Sequence, residues 1–189
     1  MLTWLILPVL GAVLIVAIII YNRLVRTRQM TNEAWSGIDV QLKRRAELVP
    51  NLVETVQGYA AHERRLLEEV TTLRGQARAL PGDDVIHRAE VERALSIAIG
   101  RLLALAESYP ELKASGNFLE LQQELARLEN EIQMARRYYN GAVRNQNVLV
   151  QSFPSNLVAG MFGFGTRDYF ELSSEAERAV PQVALGQQP

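Results

Sequence analysis

Hydrophobic and polar positions divide this chain into three kinds of stretch. Residues 1–20, MLTWLILPVLGAVLIVAIII, are almost wholly apolar and carry no charge. After them the apolar residues step by threes and fours, the period of an amphipathic helix. The stripe runs Trp35, Ile38, Leu42, Val49, Leu52, Val56 and Tyr59. Near the C-terminus a short apolar stretch, FPSNLVAGMFGF, is followed by a mixed-charge and then polar tail. No segment shows the period-two alternation of a strand, so the pattern predicts an all-α protein.

The first stretch predicts a membrane span. A helix needs roughly 20 apolar residues to cross a hydrocarbon core of ~30 Å. Trp4 and Tyr21 stand near its two ends, where amphipathic aromatic rings favour the interface. A cleaved signal peptide would show a basic region before the run and a small-x-small site after it. Here the run ends Ile18-Ile19-Ile20-Tyr21. Arg23, Arg26 and Arg28 follow, and no acid appears until Glu33. By the positive-inside rule the expected topology is a single span with the N-terminus outside and the C-terminal domain in the cytoplasm. The same three arginines are candidates for headgroup contact.

Four long helical segments are expected after the span. Between residues 21 and 49 the only glycine is Gly37 and there is no proline. The basic cluster Lys43-Arg44-Arg45 is expected outside the stripe. Arg28, Thr31 and Arg45 fall where the stripe would continue, which predicts weaker burial there. Pro50 admits two readings, a tight connection that starts a second helix or a kink within one helix. The segments 21–49 and 51–80 match in length, and this favours a hairpin at residues 48–51. The second helix would carry Leu52, Val56, Tyr59, Leu66, Val70, Leu73, Ala77 and Leu80. Pro81-Gly82-Asp83-Asp84 predicts a turn with an aspartate N-cap. The third would carry Val91, Leu95, Ala98, Leu102, Leu105 and Tyr109, and stop at Pro110. Asn117 with Glu120 suggests a capping box for the fourth. That helix shows a heptad-type, coiled-coil-like seam: Phe118, Leu121, Leu125, Leu128, Ile132, Ala135, Tyr139, Ala142 and Leu149.

These elements give a transmembrane helix at 1–21, an antiparallel four-helix up-and-down bundle at 22–152, an apolar segment at 153–170 and a polar, disordered tail at 171–189. An even number of helices returns residue 152 towards the bilayer. The apolar segment then needs a covering surface. Phe153, Pro154, Asn156, Leu157, Met161, Phe162 and Phe164 are the candidate contact residues for a membrane interface or a partner protein. The competing expectation is that they fold back to cap the bundle.

Composition and chemistry narrow the function. The net charge of −1 gives no case for nucleic acid, and the absence of cysteine removes disulfides and thiolate metal sites. The two histidines, His62 and His87, lack the paired Glu-x-x-His and His-Glu-x-x-His spacings of metal sites. No phosphate loop or nucleophile elbow appears. Neither a catalytic residue nor a cofactor or metal site is expected. Asn51, Asn130, Asn140 and Asn147 lie near the seams, where buried amides fix helix register. Of Tyr138 and Tyr139, helical spacing turns one inward and the other outward.

The blocks WSGIDVQLKRR, LVPNLVETVQGYAAHE, GRLLALAESYPELKASGNFLELQQEL, ARRYYNGAV and FPSNLVAGMFGF resemble the LemA family of bacterial membrane proteins. The resemblance implies one N-terminal span and a four-helix bundle, and brings no particular enzymatic activity. Members often show Tyr-Asn where this chain has Gln146-Asn147. The preferred expectation is a non-enzymatic scaffold or adaptor in the bacterial cell membrane that binds another envelope protein. The alternatives are a lipid-contacting membrane organiser and a carboxylate-metal enzyme. Self-association is open.

Overall fold

The computed structural model describes residues 2–82 and 84–171, with side chains from Ile6 onward. The expected polar tail beyond Glu171, Asp83 and the Trp4 ring lie outside the described residues. Every regular element among the described residues is a helix.

Helix α1 (Leu2–Gln57) is the axis of the molecule. Its apolar first part is long and apolar enough to cross a membrane. The large side chains there, from Ile6 to Ile19, are exposed, and none of the described residues covers them. The same helix runs on without a break into the core, where Ile38, Leu42, Val49, Leu52 and Val56 are buried.

The hairpin expected at Pro50 does not form, and α1 continues to Gln57. Proline has no N–H, so the carbonyl four residues earlier, that of Ala46, loses its partner in the helix. Arg74 of the next helix supplies one, its Nε donating to the Ala46 oxygen at 2.7 Å. The chain turns instead at residues 58–63, beginning at Gly58. Helix α2 (Arg64–Ala79) then buries Leu67, Val70 and Ala77. The second helix is therefore half the expected length, and Leu52 and Val56 belong to α1.

Helix α3 (Val85–Ala106) starts at Asp84, whose carboxylate accepts from the His87 N–H at 3.0 Å, as an N-cap should. Pro110 does not merely stop a helix. It opens the single turn α4 (Pro110–Lys113), which buries Leu112. Helix α5 (Gly116–Gln151) begins one residue before Asn117, so the Asn117–Glu120 capping box is not made; Ser115 stands at the cap without a side-chain bond. Its seam is as the spacing predicts: Phe118, Leu125, Leu128, Ile132, Tyr139 and Ala142 are buried, while Leu121, Ala135 and Leu149 are half-buried. Helix α6 (Ser155–Met161) closes the set.

The core has three parts along α1. The largest joins residues 49–56 to α2, α3 and the start of α5, through Leu95, Leu102, Leu112 and Phe118. A middle part joins Ala34, Ile38 and Leu42 to Ile132, Tyr139 and Phe170. The third joins Leu24 to Val158, Ala159 and Phe164, with Ala17, Ile20 and Leu149 at its edge.

Candidate functional site

The segment after α5 does two things. Helix α6 packs one face on α1 and α5, and residues 164–171 then run back along α5 as an extended strap. Side chains of α5 hold the main chain of that strap. Asn147 donates to the Arg167 carbonyl at 2.9 Å and accepts from the Arg167 N–H at 2.8 Å. Asn140 does the same with Phe170, at 3.1 and 2.9 Å. Gln146 donates to the Gly165 carbonyl at 3.1 Å, and the Tyr139 hydroxyl to that of Asp168 at 2.9 Å.

The spacing makes this possible. Asn140 and Asn147 are two helical turns apart, about 10.5 Å at ~1.5 Å per residue. Arg167 and Phe170 are three extended residues apart, about 10 Å. Each asparagine presents a donor and an acceptor to the C=O and N–H of one residue, as a neighbouring strand would. Phe170 is fully buried, its ring 5.6 Å from that of Trp35, which lies 5.3 Å from Tyr139. Arg167 also reaches Asn32 of α1 at 2.7 Å. Burial raises the pKa of Tyr139 above its ordinary value of 10.0; Arg167 opposes the rise and Asp168 adds to it. Asn140 and Asn147 thus fix the strap rather than the helix register, while Asn51 and Asn130 lie exposed. Of the tyrosine pair, Tyr139 points in and Tyr138 out.

The predicted contact residues divide between the two faces of α6. Phe164 is buried beneath it, with the Arg28 guanidinium 4.9 Å from its ring and Tyr21 at 5.7 Å. Phe153, Pro154, Asn156, Leu157, Met161 and Phe162 are exposed, and Phe162 packs edge-on to Tyr21 at 4.8 Å. Arg23 and Arg26 are exposed beside them. Folding back and presenting an apolar face are thus both true of this segment.

A second polar cluster lies inside the bundle. Arg45, expected outside the stripe with Lys43 and Arg44, is only 2% exposed. Its guanidinium binds Glu92 at 2.6 Å, Glu129 at 3.0 Å and the Ser96 hydroxyl. Glu92 also accepts from Arg88 at 3.1 Å, and Arg88 reaches Asp39 at 3.2 Å. Thr31 is buried too, so two of the three polar positions on the stripe line face the core. Their helical phase was the signal: Arg45 sits three residues after Leu42 and four before Val49. Glu92, Glu129 and Asp39 are each engaged by a guanidinium. Among the described residues no group of three or more His, Cys, Asp or Glu stands together as a metal site. His62 and His87 are exposed, His87 3.5 Å from Glu90.

A family model, that of the LemA family, matches residues 34–185. The chain belongs to the LemA family. Among its relatives, protein LemA of Metamycoplasma hominis is 28% identical over 157 residues, covering 83% of this chain and 71% of that one. Magnetosome protein MamQ 1 of Paramagnetospirillum magneticum is 25% identical over 192 aligned residues, covering 88% and 71%. Magnetosome protein MamQ of Magnetospirillum gryphiswaldense is 23% identical, covering 86% and 70%. LemA-family membership and the long apolar helix together make this a membrane-anchored bacterial protein.

Proposed function

We propose that this LemA-family protein is a non-enzymatic scaffold that holds another envelope protein at a set height above the cytoplasmic face of the cell membrane. In this reading α1, α2, α3 and α5 alternate in direction, as an up-and-down bundle does, and the arginines after the span keep the bundle in the cytoplasm. The observation that carries it is the continuity of α1. One helix is both the apolar run and the spine of the core, so the bundle has no flexible linker to the membrane. A rigid post of this kind positions whatever binds its sides. Met134 and Tyr138, one turn apart on the outer face of α5 and both more than half exposed, are the surface we assign to the partner. Photoreactive residues at these two positions, in intact membranes, test the assignment. A single recurring heterologous protein on both supports the scaffold; adducts only to lipid, or no adduct, count against it.

A second reading makes the protein an organiser of the bilayer itself. It is favoured by the apolar side chains that α6 leaves uncovered beside the span. It predicts binding to anionic vesicles that weakens with salt.

A further inference from the structure

We propose that the outer face of α6 is a second membrane contact, lying in the interfacial layer of the leaflet from which α1 emerges. This deepens the membrane-anchored reading and rests on it. Residues 2–20 rise about 28 Å as a helix at ~1.5 Å per residue. A hydrocarbon core of ~30 Å needs that whole run. The edge of the hydrocarbon therefore falls near Tyr21.

Helix α6 sits at that edge, not above it. Its inner residues Val158 and Ala159 pack with Leu24, and Ala17 and Ile20 border the same cluster. Ala17 is about 6 Å deeper than Tyr21 along the helix. The opposite face of α6 exposes Leu157 and Met161, one turn apart, with Phe153 just before it and Phe162 just after; Phe153 and Met161 are 80% and 81% exposed. Charge follows the same boundary. Residues 145–166 contain no Asp, Glu, Lys or Arg. On the side away from the hydrocarbon stand Arg23 and Arg26, both exposed, and Arg28 over the Phe164 ring. An apolar face with cations on the side away from the hydrocarbon matches a bilayer with anionic headgroups. Interfacial helices bury their apolar faces to about this depth, ~5–10 Å.

The chain has no cysteine, so single labels are clean. Leu157→Cys and Met161→Cys, each in the full-length protein, are spin-labelled and reconstituted into vesicles containing phosphatidylglycerol. Collision rates with oxygen and with a water-soluble nickel chelate then report depth. The proposal expects both labels to favour oxygen severalfold over a Met134→Cys label on the bundle. Labels on α6 that collide with nickel as freely as Met134 overturn it. So does protection that vanishes when the protein is diluted in lipid, which assigns the face to a second copy. A Val13→Cys label separates the two levels of the argument. If it reads lipid while α6 reads water, only the α6 contact fails; if it reads water, the anchor fails too.

Discussion

The two ends of the bundle are held together by different physics. At the end farthest from the span, α1, α2, α3 and the start of α5 close over an aliphatic core: Leu52, Val56, Val70, Leu95, Leu102 and Leu112. Such packing tolerates exchange of one aliphatic residue for another of similar volume. Nearer the span, α2 leaves the core and only the first turns of α3, through Val85 and Ala89, still reach it. The vacated place is taken by α6 and the strap, fixed by asparagine pairs, a tyrosine hydroxyl and aromatic contacts. The Arg45–Glu92–Arg88 cluster stands between the two regimes. The aliphatic end specifies shape by volume; the clasped end specifies it by donors and acceptors that fit only one register.

The sharpest way to break this picture is at the boundary. Arg45→Ala leaves Glu92 buried and short of a partner, and should cost about 3–5 kcal/mol of bundle stability in denaturant. A cost below about 1 kcal/mol would mean that the cluster is as weak as a surface pair. Next is the clasp. Asn140→Ala strands a part-buried donor and acceptor of the strap, at about 1–3 kcal/mol; Asn147→Ala, whose bonds are exposed, should cost about 0.5–1.5 kcal/mol. Amide exchange in residues 165–171 should quicken in the double variant while that of α2 and α3 stays slow. Equal quickening everywhere would erase the distinction between the two ends.

The Pro50 repair tests the spine. Arg74→Ala should cost about 1–2 kcal/mol by orphaning the Ala46 carbonyl. In a Pro50→Ala background, where the helix can satisfy that carbonyl itself, the penalty should shrink. Equal penalties in both backgrounds would remove the proposed role of Arg74. The smallest effect belongs to Tyr139→Phe, about 1 kcal/mol for one hydrogen bond. Because its folded pKa is raised, the stability it contributes is fully present below the unfolded value of 10.0 and is lost as pH climbs through the folded one. The Phe variant should lack that part of the alkaline destabilisation.

Periodicity made the aliphatic end legible. The α5 seam, the buried face of α3 and the apolar run are legible in the sequence, because each depends on a local repeat. What the repeat could not show were polar residues whose partners lie far along the chain. Arg45 is 47 positions from Glu92, and its charge outweighed its helical phase in the reading. The matched lengths of 21–49 and 51–80 favour a turn at Pro50, and nothing local to it shows that Arg74, on another helix, repairs the break. On the sequence alone Asn140 and Asn147 read as register-setting amides. The pattern that finds the strap is their seven-residue spacing set against Arg167 and Phe170, three residues apart on an extended chain.

The apolar run and the spine of the bundle share one unbroken helix. Spin labels at positions 13 and 47 of the full-length protein in bilayers measure it directly. An unbroken α1 puts those backbones about 51 Å apart, at ~1.5 Å per residue, in a single narrow distribution. A shorter or broad distribution would place a hinge between anchor and bundle, and the rigid post would be lost.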